Sequence, residues 1–87
     1  MKAQPYGHRE VARAFGMTLR SVRKERNVSQ DALSANGDFD RTYPSLLERG
    51  LRGPTLAMLL RLADALDVEP SRLINETVER LRTEVRS

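Results

Sequence analysis

The sequence predicts an all-α fold of five helices. Three observations carry that reading: apolar residues recur every three or four positions in successive windows, capping residues and breakers separate those windows, and no stretch alternates apolar with polar in the period of a strand. At 87 residues the chain has room for one modest core. With 39% apolar residues, no Trp and no Cys, that core is built mainly from Leu and Ala.

The first helix is expected over residues 8–26, where Val11, Phe15, Leu19 and Val22 stack on one face. Asn27 tolerates the left-handed backbone that closes many helices. Ser29 is a good N-cap for a second, short helix from Gln30 to about Asn36, and Asp31 suits the positive end of its dipole. Gly37 and Asp38 supply a sharp turn. Asp40 is expected to cap a third helix running to Arg49, with Leu46 and Leu47 as apolar contacts and Gly50 ending it. On that start Pro44 is the fourth helical residue and forfeits the first intrahelical hydrogen bond, so this helix starts late or bends. After Gly53 and Pro54, Thr55 caps a fourth helix whose Leu56, Leu59, Leu60, Ala63 and Leu66 form the expected centre of the core. Glu69 and Pro70 open a fifth, where a missing donor is harmless, and Ile74, Val78, Leu81 and Val85 continue along one side.

Composition removes several classes of function. The lack of Cys excludes disulfides, thiolate metal sites and Cys nucleophiles. The longest apolar run, Leu56 to Leu60, is too short to cross a bilayer, which points to a cytoplasmic protein with no membrane partner. A lone His8 in the N-terminal region offers no metal or catalytic set, and Glu76 and Glu79 share their helix face with Arg72, Arg80 and Arg82. No phosphate-cradling glycine loop or nucleophile motif is present, and neither an enzyme nor a cofactor is expected. The net charge of +3 is mild, but it is unevenly spread. Lys2, Arg9, Arg13, Arg20, Arg23, Lys24 and Arg26 face only Glu10 and Glu25 in the first 26 residues, and the remainder is slightly acidic. Arginine, which pairs its planar donors with two oxygens at once, far outnumbers lysine.

Residues 29–50 have the layout of a short helix, a tight turn and a second short helix, the arrangement that lays one helix across a phosphate backbone and the next in a major groove. With this layout in place, residues 19–74 resemble the Cro and phage-repressor regulators, the XRE type. The resemblance rests on Leu19, Val22, Arg23 and Arg26, then Ser29-Gln30, Leu33, Ser34 and Ala35, Phe39, Arg41 to Tyr43, and Glu48-Arg49-Gly50. It continues through Pro54-Thr55-Leu56, Leu59 to Leu62, Ala63, Ala65-Leu66, Val68, Pro70-Ser71 and Leu73-Ile74. It implies a lambda-repressor-like five-helix domain that reads double-stranded DNA with its third helix.

Carried over position by position, the resemblance implies base-edge contacts from Arg41, Thr42 and Ser45. It implies phosphate contacts from Gln30, Tyr43, Arg49 and Arg52, with Gln30 also able to brace the recognition helix. Pro44, Leu46, Asp38 and Asp40 depart from the family pattern. A surface pairing of Arg41 with Asp38 or Asp40 is the plain alternative to a role in reading.

The domain plan is a flexible tail at residues 1–7, the DNA-binding domain at 8–75, and an extension of the fifth helix at 76–87. The four, three, four spacing of Ile74, Val78, Leu81 and Val85 makes a narrow seam, from which Val78, Leu81 and Val85 are expected to contact a second copy in a homodimer. An autoregulating antitoxin or restriction-modification controller fits the same text, as does an interaction module that keeps the fold without reading DNA. The sequence names no small-molecule effector.

Overall fold

A computed structural model describes the backbone of residues 6–86 and the side chains of residues 6–83. Residues 1–5 of the expected 1–7 tail and the side chain of Val85 lie outside the described residues. Five helices follow in order: α1 (His8–Glu25), α2 (Gln30–Gly37), α3 (Tyr43–Glu48), α4 (Leu56–Leu66) and α5 (Pro70–Arg86). Among the described residues there is no strand, and no helix is long and apolar enough to cross a membrane.

Most helix ends follow from side-chain chemistry. Asn27 takes the left-handed conformation at φ 59°, and the chain turns back as Val28 N–H donates to the Arg23 carbonyl at 3.0 Å. Ser29 Oγ accepts from Ala32 N–H at 3.0 Å, and Thr55 Oγ1 accepts from Met58 N–H at 3.1 Å. Gly37 is the last residue of α2 rather than part of the turn, and Asp38 alone takes the left-handed position, at φ 55°.

The start of α3 differs from the expectation. Asp40 Oδ1 accepts from both Thr42 N–H, at 2.9 Å, and Thr42 Oγ1, at 2.6 Å, which closes a local turn ahead of the helix. These two bonds hold the Asp40 carboxyl below its usual range, first through the Thr42 hydroxyl and then through the backbone. The helix begins at Tyr43, so Pro44 stands in its first turn, where no intrahelical acceptor awaits an N–H. Leu46 N–H makes the first α-type bond, to the Thr42 carbonyl at 3.1 Å. Pro44 therefore neither bends the helix nor forfeits a bond; it is buried and shapes the start.

The core joins Phe15, Leu19 and Val22 of α1 to Leu33, Leu47, Leu62, Ala63, Leu66 and Leu73. The expected α4 stripe is rotated. Leu62 is sealed, Leu59 is half-buried, and Leu56 and Leu60 are 69% and 48% exposed. α1 packs against α3 and α5, while α2 packs against α3 and α4. Arg72 of α5 ties that helix to α1 by donating to Glu25 at 2.7 Å and to Glu76 on its own helix at 2.7 Å.

Gly16 is what lets α3 approach α1 so closely. A Cβ there would fall inside contact distance of the Leu47 carbonyl oxygen and lie 2.9 Å from that of Glu48. Alanine in a helix interior gains about 1 kcal/mol over glycine, but overpacking costs about 1–3 kcal/mol and these obstructing atoms are backbone. Gly16→Ala is therefore expected to destabilise the fold by about 1–2 kcal/mol in urea titration. An unchanged midpoint would mean that α3 slides freely on α1.

Candidate nucleic-acid interface

The outer helix pair is α2 and α3, and α3 is held from beneath by two kinds of contact. Leu47 points straight into the core. Beside it, the Glu48 carboxylate accepts from Arg23 of α1 at both oxygens, Nε to Oε2 at 2.6 Å and Nη2 to Oε1 at 3.0 Å. Gln30 of α2 adds Nε2 to Oε1 at 3.1 Å, and Arg23 Nη1 also donates to the Val28 carbonyl at 3.0 Å. The Glu48 side chain is 3% exposed and that of Arg23 11%. One carboxylate thus couples three helices, and the bidentate geometry fixes direction as well as distance. Gln30 is half-buried and occupied as a brace.

A second clamp sits at the far end of α2. Arg61 of α4 donates through Nη2 to the carbonyls of Gly37, at 2.6 Å, and Asp38, at 3.0 Å, capping the negative end of the helix dipole. Its guanidinium lies 4.8 Å from the centre of the Phe39 ring, which in turn meets Tyr43 at 5.4 Å. Burial pushes the Tyr43 hydroxyl above its usual value, while the charges of Arg52 and Arg61 act against that rise. Two cations therefore stand near the ring that opens α3.

The expected base-reading residues lie on the outside. Arg41 and Thr42 are exposed and Ser45 is half-buried. Thr42, Ser45 and Arg49 follow at spacings of three and four, so they share one face of α3. Arg49 and Arg52 are exposed, and Tyr43 is half-buried. The carboxylate partner of Arg41 is Asp31 of α2, at 3.4 Å, and not the expected Asp38 or Asp40. Leu46 is half-buried, so it belongs with the side of α3 that packs.

A profile of the helix-turn-helix family matches residues 19–73, more than half of the chain, with α2 and α3 at its centre. The chain belongs to the XRE-type helix-turn-helix family. This member is 34% identical over 70 residues to an uncharacterised HTH-type transcriptional regulator of Sinorhizobium fredii, covering 80% of this chain and 91% of that one. It is 38% identical over 64 residues to the control protein C.BamHI of Bacillus amyloliquefaciens, covering 72% and 79% of the two chains. Among solved structures, the restriction-modification controller protein C.AhdI from Aeromonas hydrophila superimposes with a TM-score of 0.69 at 40% identity, over 71% of this chain and 94% of that one.

The surface away from α3 departs from the expected seam of this helix-turn-helix protein. Leu81, expected as a contact to a second copy, is only 4% exposed, and it lines a groove with Ala12 and Phe15 of its own α1. Val78 is half-buried on the same groove. The large apolar side chains left open among the described residues are Tyr6, Met17, Leu51, Leu56, Leu60 and Ile74, the last 42% exposed. Leu60 borders Pro70 in a shallow depression, while Ile74 lines the groove of Val78 and Leu81 beside Leu59 of α4. Among the described residues no group of three or more His, Asp or Glu is placed to hold a metal.

Two residues of this framework escaped the sequence reading. Arg23 was counted only in the basic run and the family pattern and Arg61 went unmarked, because Glu48 lies 25 positions from the first and the Gly37 and Asp38 carbonyls lie 24 and 23 from the second.

Proposed function

We propose that this chain is a cytoplasmic transcriptional regulator, without enzymatic activity, that binds a short, partly palindromic DNA duplex as a homodimer and lays α3 in the major groove. The observation that carries this reading is the two-sidedness of α3. Its inner side is locked by Leu47 and the Glu48 carboxylate, while Thr42 and Arg49 at its two ends and Arg41 in the turn before it stay open to solvent. Arg41, Thr42 and Ser45 contact base edges; Tyr43, Arg49 and Arg52 lie along phosphate, and Gln30 braces α3 through Glu48. Guanidinium groups pair with guanine O6 and N7, and a threonine methyl suits thymine.

The dimer forms through Leu56, Leu60 and Ile74, with Val78 at its margin, and sets two recognition helices about 34 Å apart, one turn of duplex. The likeness to C.AhdI, a restriction-modification controller protein, supports control of restriction-modification genes as the specific role.

Selection of bound sites from random duplexes tests the proposal. The expected product is a site with two related halves; recovery of no preferred sequence would refute it. In the same assay Arg41→Ala is expected to flatten the preference at one base pair per half-site, a loss of about 1–3 kcal/mol of discrimination. Arg49→Ala is expected to weaken all duplexes alike and to reduce the salt dependence.

A further inference from the structure

The contact between Asp31 and Arg41 joins the start of α2 to the turn before α3. Arg41 donates through Nε to Oδ1 and through Nη2 to Oδ2, both at 3.4 Å, with side chains 83% and 69% exposed. A contact so long and so wet adds little to folding stability. Its geometry is nonetheless specific. The carboxylate lies along the Nε and Nη2 edge of the guanidinium and leaves the edge made by Nη1 and Nη2 unused. That second edge carries two parallel donors at the spacing of guanine O6 and N7. The backbone beneath is steadied as well, since the buried Ser34 hydroxyl lies 3.5 Å from the Arg41 carbonyl oxygen and donates to the Gln30 carbonyl at 3.1 Å.

We propose that Asp31 is a specificity-determining positioning residue: its carboxylate holds one edge of the Arg41 guanidinium so that the other edge meets guanine, and its charge repels phosphate when no guanine is offered. This rests on the reading of α3 as the base-reading helix. The two effects have opposite signs on removal of the carboxylate. Affinity for the correct site falls as Arg41 loses its orientation, and affinity for any other duplex rises as a negative charge leaves the interface.

The experiment measures binding of the full chain to its selected duplex and to a scrambled duplex, for Asp31→Ala, Asp31→Glu, Arg41→Ala and the Asp31→Ala, Arg41→Ala double variant. Thermal melts report that each variant is folded. For Asp31→Ala the expected result is about three-fold tighter binding to the scrambled duplex and roughly three- to ten-fold weaker binding to the selected one. Asp31→Glu restores part of the preference. In the Arg41→Ala background, Asp31→Ala raises both affinities alike. If Asp31→Ala alone raises both together, the carboxylate is only a repulsive charge; if it lowers both together, the role is structural. Either result overturns the proposal. Should Arg41→Ala itself leave the guanine preference intact, the reading of α3 falls and this proposal falls with it.

Discussion

Glu48→Ala is expected to lower stability by about 3–5 kcal/mol, because it strips a buried guanidinium of its counter-charge and frees one brace from each of α1 and α2. Arg23 keeps its bond to the Val28 carbonyl and a little exposure, which places the loss near the lower bound. For a domain of this size each kcal/mol moves the melting midpoint by about 4–8 °C, so a drop of about 12 °C or more is the readout. DNA affinity falls for every sequence, since the whole of α3 loosens. A paired replacement, Glu48→Leu with Arg23→Met, recovers much of the stability by removing both charges together. A Glu48→Ala protein melting within about 3 °C of the parent would show that this carboxylate does not hold α3.

Leu47→Ala is expected to cost about 3 kcal/mol or more, the usual penalty for emptying a sealed leucine site where helices meet. Leu47 is fully buried beside Leu33 and Phe15 in the common core, and its neighbour Leu46 is only half-buried. Leu46→Ala is therefore expected to cost about 1 kcal/mol. The contrast is diagnostic, because successive helical positions differ by roughly 100° around the axis. If Leu46→Ala proved the more damaging of the two in chemical denaturation, α3 would present a different face to solvent and the assignment of Thr42, Ser45 and Arg49 to one outer face would fail.

Features governed by neighbours in the chain were legible from the sequence. Ser29 and Thr55 cap where expected, Asn27 closes α1, and Gly50 closes α3 with φ 71° against Arg13, where a Cβ would lie 3.1 Å from Cα. The start of α3 was misplaced by two residues because an aspartate that accepts from the second amide along closes a turn as readily as it begins a helix. Asp40 does the former. The α4 face was ambiguous for a different reason. The leucines at 56, 59, 60 and 62 wrap around the helix, so its phase is set by what α2 and α5 offer, and only the folded chain decides that Leu62 goes in and Leu56 stays out.

Long-range partners were the least legible. Arg23 and Glu48 are 25 residues apart, and as text they are two members of a well-charged chain. The heptad-like spacing of α5 was real, yet such a seam serves a helix of the same chain as well as a second copy. Leu81 is taken by α1, while Ile74, on the same groove, stays 42% exposed. The exposure of Thr42 and Arg49 was easier to read, because exposure of a polar face follows from burial of the opposite one. Once Leu47 and Glu48 turn inward, Thr42 and Arg49 have nowhere to go but out.

The central claim is that α3 reads base edges from the major groove, and atomic substitution in the duplex tests it most directly. Guanine offers N7 only in the major groove and its 2-amino group only in the minor groove. With the selected duplex, 7-deazaguanine at the Arg41-dependent position is expected to weaken binding about ten-fold or more, while inosine at the same position leaves it nearly unchanged. Sensitivity to inosine with indifference to 7-deazaguanine would contradict the account.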